Sequence, residues 1–160
     1  APAAPPAVAV RRPLLVAVAG PDALQISAMS VPLARARGGD VHVVHVVEED
    51  VTAGEDAVEL ETSAAARALL EQSVAELRAS GMAVRGELLH TVGNHADVAA
   101  GILKRASELQ AGAIVIGPDA HHGRLLSPVA AVIAEHARAH VIVLHPEAGP
   151  LGSSQPRLAA

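Results

Sequence analysis

Short unbroken apolar runs alternate along the chain with longer segments whose apolar residues recur every three or four positions. Leu14 to Val18 is the first run and is closed by Gly20-Pro21, as expected of a strand buried on both faces. A helix follows. Asp22 with Gln25 three residues on is a capping-box pattern, Gly38-Gly39 is a fitting stop, and Pro32 inside the segment predicts a kink. Val41 to Val47 is a second apolar strand. Ser63 opens a helix with Leu70, Val74 and Leu77 on one face, ended by Gly81. Val84-Arg85-Gly86-Glu87-Leu88 alternates and predicts a strand with one wetter side. Asn94 caps a helix that carries Val98, Ile102, Ala106 and Leu109 on a common face. Ala113 to Ile116 reads as a buried strand ending at Gly117. Ser127-Pro128 starts a last helix, with Ser as cap and Pro in the first helical position, and Val129, Ile133 and Ala137 as its buried stripe. Val141 to Leu144 is the final strand, stopped by Pro146.

Five strands thus alternate with four helices, which predicts an α/β domain: a doubly wound, mostly parallel five-stranded sheet with helices on both faces. The wetter strand at 84–88 suits a sheet edge, and the first and fourth strands suit the centre. Ligands of such sheets bind beyond the carboxyl ends of the strands, where the strand order reverses. That places the expected crevice between the turn at Ala19-Gly20 and the turn from Gly117 onward.

Composition narrows the function. There is no Phe, Tyr or Trp, so the core is aliphatic and the ring stacking that single-stranded nucleic acid relies on has no source. A formal charge of −5 also disfavours phosphate backbones. No nucleic-acid partner is expected. Seven of the 17 acids, Glu48, Glu49, Asp50, Glu55, Asp56, Glu59 and Glu61, fall in one stretch without a base, which reads as a solvated loop rather than a cation site, because the spacing of a calcium loop is missing. The absence of cysteine excludes disulfides, thiolate zinc and a thiol nucleophile. Residues 1–12 read as a flexible Ala/Pro-rich tail or linker, 13–147 as the folded domain and 148–160 as a second flexible tail. Arg11-Arg12 before the first apolar run imitates a secretion signal, but the run is short and Pro13 intervenes. The expected location is cytoplasmic.

Three stretches resemble the universal stress protein family: Leu14 to Gly20, Val92-Gly93-Asn94 through Ile102, and Ile114-Val115-Ile116-Gly117 through Val143. The resemblance covers about residues 13–146. It implies the strand order 3-2-1-4-5 and a nucleotide crevice lined by Ala19, Gly20, Val46, Gly117, Ala120, Gly123 and Ser127. ATP-binding members of the family carry G-x2-G-x9-G-[S/T] after the fourth strand, small residues that let backbone N–H groups close on phosphates. Here Gly117 takes the first position, Ala120 the second and Ser127-Pro128 the last pair, and the loop is about three residues short. Pro128 removes a donor, and the family's acid at the end of the first strand aligns with Ala19. ATP is therefore not expected as a cofactor, although another adenine or cyclic nucleotide would have room.

Other constellations carry less. His136 and His140 stand at i, i+4, and His121-His122 lie in the loop over the crevice, but neither set has an evident third ligand, so no metal is expected. Ser127 beside those loop histidines lacks a nucleophile-elbow sequence, and Arg124 reads as a solvated side chain. His42 and His45 fall in an apolar strand and read as hydrogen-bonded core residues. No enzyme is expected. The implied protein is a regulatory, stress-response binding protein. The alternatives are a regulatory domain attached to a membrane transporter or sensor, which the Pro/Ala-rich start suggests, and an ATP-hydrolysing switch, which the broken phosphate loop disfavours. Val141, Ile142, Val143 and Leu144 form an apolar edge with no charge before Glu147. Such an edge predicts pairing with the same strand of a second copy, making a homodimer.

Overall fold

A computed structural model describes residue 3 and residues 11–18, 22–50, 58–59, 63–92, 95–117 and 128–145, with backbone alone at 48–50, 58–59, 63, 92, 95 and 128. The elements in chain order are β1 (Leu14–Val18), α1 (Ala23–Arg37), β2 (Val41–Asp50), β3 (Val58–Glu59), α2 (Ser63–Ala79), β4 (Val84–Val92), α3 (His95–Glu108), β5 (Ala113–Ile116), α4 (Pro128–His136) and β6 (His140–Val143).

The five predicted strands are present as β1, β2, β4, β5 and β6, and they lie side by side as β4-β2-β1-β5-β6, all parallel. This is the expected 3-2-1-4-5 order. Because side chains alternate across a strand, each central strand feeds two cores. Leu14, Val16, Val41, Val43, Ala113 and Val115 pack beneath α1 and α2. Leu15, Val44, Ile114 and Ile116 pack beneath α3 and α4.

Aliphatic side chains make up most of these cores, with Ser27, Ser30, Ser73, His42 and His45 the buried polar residues among those described. Ser27 and Ser30 are fully buried on α1 and donate to the carbonyls of Ala23 and Ile26, at 2.8 and 2.7 Å, so that neither of these two hydroxyls is stranded. Gly38 ends α1 in the left-handed conformation at φ 64°, and its N–H bonds Ala34 O, where a side chain would be strained.

Two expectations are corrected. Asp22 precedes α1 but makes no side-chain cap; its backbone is helical, at φ −86° and ψ −1°, and a capping side chain works from an extended backbone. The acid-rich stretch is not simply a loop. β2 runs three residues past Val47, and Val58 and Glu59 pair antiparallel with Asp50 and Glu49. Ladder bonds come from the backbone, so polar side chains do not end a strand. Glu49 is paired on both edges, with Val92 and with Glu59. β3 therefore occupies the lane of β1, beyond the point where β1 stops at Val18.

Candidate functional site at the carboxyl end of the sheet

The chain runs outward from β1 to β2 and β4, then returns to β5 on the other side of β1 and continues outward to β6. The order reverses between β1 and β5, and the crevice lies beyond Val18 and Ile116. Of the residues expected to line it, Val46 and Gly117 are described. Ala19, Gly20, Ala120, Gly123 and Ser127 lie outside the described residues, as do Asn94, His121, His122 and Arg124.

Gly117 closes β5 at the floor of the crevice, and a Cβ there would stand 3.0 Å from Cδ1 and 3.1 Å from Cγ1 of Ile26 on α1. A side chain there would press on the end of Ile26 by a few tenths of an ångström, a packing reason for a small residue that is independent of any phosphate. Val46 is half-buried and packs against the α3/α4 core. Pro128 is the first residue of α4, where a helix offers its unpaired N–H groups to anions. Proline offers none.

His45 is 2% exposed, and its Nδ1–H donates to the carbonyl of Val18 at 2.7 Å, tying β2 to the last residue of β1 at the rim of the crevice. His42, three residues earlier, uses the other ring nitrogen. Its Nε2–H donates to Glu87 Oε2 at 3.0 Å, and Arg105 Nε donates to the same oxygen at 2.6 Å. Arg105 reaches on to Glu108 at 3.0 Å. Burial pushes the Glu87 carboxyl up, but the hydrogen bonds and charges of His42 and Arg105 outweigh it and hold the group below its ordinary 4.5. The two histidines are thus hydrogen-bonded within the core, as their strand suggested.

The Glu87 cluster escaped sequence reading. Alternation along β4 places Glu87 on the α3 side, but nothing local says that Arg105 arrives there. Among the described residues no three His, Asp or Glu side chains converge as a metal site. His136 instead directs Nδ1 at Val132 O, 3.0 Å away in its own helix. Nor is any described helix long and apolar enough to cross a membrane.

A parallel sheet in this order, reversing between β1 and β5, defines a doubly wound α/β protein. The universal stress protein family model matches residues 11–145, and the chain belongs to that family. The solved universal stress protein from Archaeoglobus fulgidus is 27% identical, over 84% of this chain and 98% of its own, with a TM-score of 0.65. The universal stress protein of the same organism in complex with dAMP is 28% identical, over 82% and 96%, with a TM-score of 0.62. A universal stress protein in complex with cAMP shares the fold at 18% identity, over 84% and 97%, with a TM-score of 0.61. No curated protein matches the chain.

Proposed function

We propose that this chain is a homodimeric regulatory protein of the stress response, acting in the cytoplasm without catalysis, whose crevice has lost its grip on a triphosphate. The observation that carries this reading is Pro128 at the first position of α4, which removes a backbone donor from the helix end that would cradle phosphate. Gly117, the motif residue that remains, also has a packing use, since a Cβ there would press on Ile26. Ala19 stands where the family's ATP binders carry an acid. The complex of the 28%-identical relative with dAMP supports keeping an adenine monophosphate as the ligand class, since one phosphate asks less of the missing donors than three.

The dimer rests on β6. It pairs with β5 alone among the described residues, and its Val141, Ile142 and Val143, with Leu144 beyond, are half-buried in the single chain. Calorimetry tests the nucleotide half of the proposal. Mg-ATP is expected to bind no tighter than about 100 µM, roughly 5.5 kcal/mol, and dAMP at least as well as ATP. A sub-micromolar ATP constant overturns it.

A further inference from the structure

The end of the sheet away from the crevice carries a groove of about 800 Å³, between the last turns of α3 and α4 and the amino ends of β1, β5 and β6. That is the size of a small-molecule site. Buried Ala106, Ala111 and Ile114 form its floor, and Arg12, His136, Arg138 and His140 stand round its rim, with no acid among the lining residues. Leu14, Ala113 and His140 pair in one row across β1, β5 and β6. Arg12 and Arg138 precede Leu14 and His140 by two residues each, at the entrances of strands two spacings apart, about 10 Å. Gly112 enters the strand between them. A Cβ there would come within 3.1 Å of Arg12 Cβ, and Arg37 Nη1 lies 3.7 Å from the same point.

Basic groups at helix C-termini are often there only to complement the helix dipole, and His136 does bond Val132 O in α4. Arg12 and Arg138 are different. Both are exposed, and among the described residues neither has a carboxylate partner. Glu108, the acid at the end of α3, is taken by Arg105, and Asp40, just before β2, does not line the groove.

A second feature is independent of charge. α1 and α2 are followed by Gly38 and Gly81, whose φ of 64° and 84° belong to the left-handed region that glycine favours. α3 stops in the same way: Ala111 N–H bonds Ala106 O at 2.9 Å and Gln110 N–H bonds Ser107 O at 3.1 Å, the paired bonds of a Schellman stop. Yet its left-handed residue, at φ 52°, is Gln110, which is exposed and lines the groove. A side chain in that conformation strains the backbone where glycine would not. In return it sets an amide with two N–H donors at the edge of the groove.

We propose that the groove is an anion site distinct from the crevice, and that it takes a phosphate-bearing ligand held between Arg12 and Arg138 with Gln110 beside it. The helices turn their carbonyl ends to the groove, which disfavours an anion, so the side chains must supply the attraction. Two guanidiniums, each a fork of donors, suit a dianion, and at neutral pH a phosphate comes closer to that charge than a carboxylate.

Calorimetry of the full chain with pyrophosphate at 20 mM NaCl tests the proposal. Pyrophosphate is expected to bind tighter than about 1 mM. Arg12→Gln with Arg138→Gln should weaken it about tenfold or more, whereas Arg85→Gln, a neutralisation outside the groove, should leave it unchanged. Gln110→Gly should raise Tm and yet weaken binding, a combination that a purely structural residue would not give. Cosedimentation with phosphatidic acid vesicles separates two sources of the phosphate group. Pyrophosphate binding without retention on vesicles supports a soluble ligand, and retention that pyrophosphate displaces supports a lipid headgroup. The proposal is overturned by pyrophosphate that fails to bind, by binding that survives the loss of Arg12 and Arg138, by equal weakening in Arg85→Gln, or by unchanged affinity in Gln110→Gly.

Discussion

β4 and β6 flank the same parallel sheet, and among the described residues each pairs with one neighbour, β4 with β2 and β6 with β5. An open edge offers unpaired N–H and C=O groups to any passing strand. β4 meets this with sequence: exposed Arg85, bare Gly86 and a Glu87 bound to His42 and Arg105. Gly86 has a second use, since a Cβ there would come within 2.7 Å of Val74 Cγ2 and so push α2 off the sheet. β6 has none of these devices. It reads His-Val-Ile-Val, and its aliphatic side chains are half-exposed in the isolated chain. The difference teaches that an edge can be protected chemically within one chain, or left apolar on terms that suit a partner.

Val143→Asp should break this contrast most visibly, giving β6 a charge of the kind β4 already carries. The expected product is a monomer or insoluble protein, against a dimer for the wild type by light scattering. A wild type that is monomeric at ~50 µM, where a micromolar dimer would be mostly assembled, removes the distinction between the edges.

A smaller effect is expected at the protected edge. Glu87→Ala leaves His42, only 8% exposed, without its acceptor, which should cost about 1–3 kcal/mol and lower Tm by several degrees without changing the oligomeric state. The charge adds a pH dependence whose sign is set by the lowered folded-state pKa of Glu87. Its contribution is complete above the unfolded value near 4.5 and is lost as pH falls through the lower folded value. Thermal scans of wild type and Glu87→Gln should therefore differ most at neutral pH and converge in acid. Parallel curves down to pH 3 would show that the cluster adds nothing through its charge.

The smallest change belongs to Arg85→Ala, for which we expect less than about 0.5 kcal/mol and no new association, because Gly86 and Glu87 still interrupt the edge. If light scattering found that variant assembling, Arg85 alone would be the guard of β4.

Pattern in the sequence was sufficient for the element order, the two-sided burial of β1 and β5, the wetter edge at β4 and the family. Each of these depends on residues within a turn or two of one another, or on the succession of such segments. Leu15 and Val16 point to opposite cores simply because strands alternate. β3 had no such signal, since two residues in an acidic stretch became a strand only because β2 outlasts β1 and leaves backbone groups to pair. Tertiary structure also brought Gly117 against Ile26, ninety-one positions earlier in the chain. It brought Arg105 to Glu87, and it gathered Arg12 with Arg138 on one groove. These are meetings between distant parts of the chain, and their energies depend on distances of a few ångströms that no local periodicity encodes.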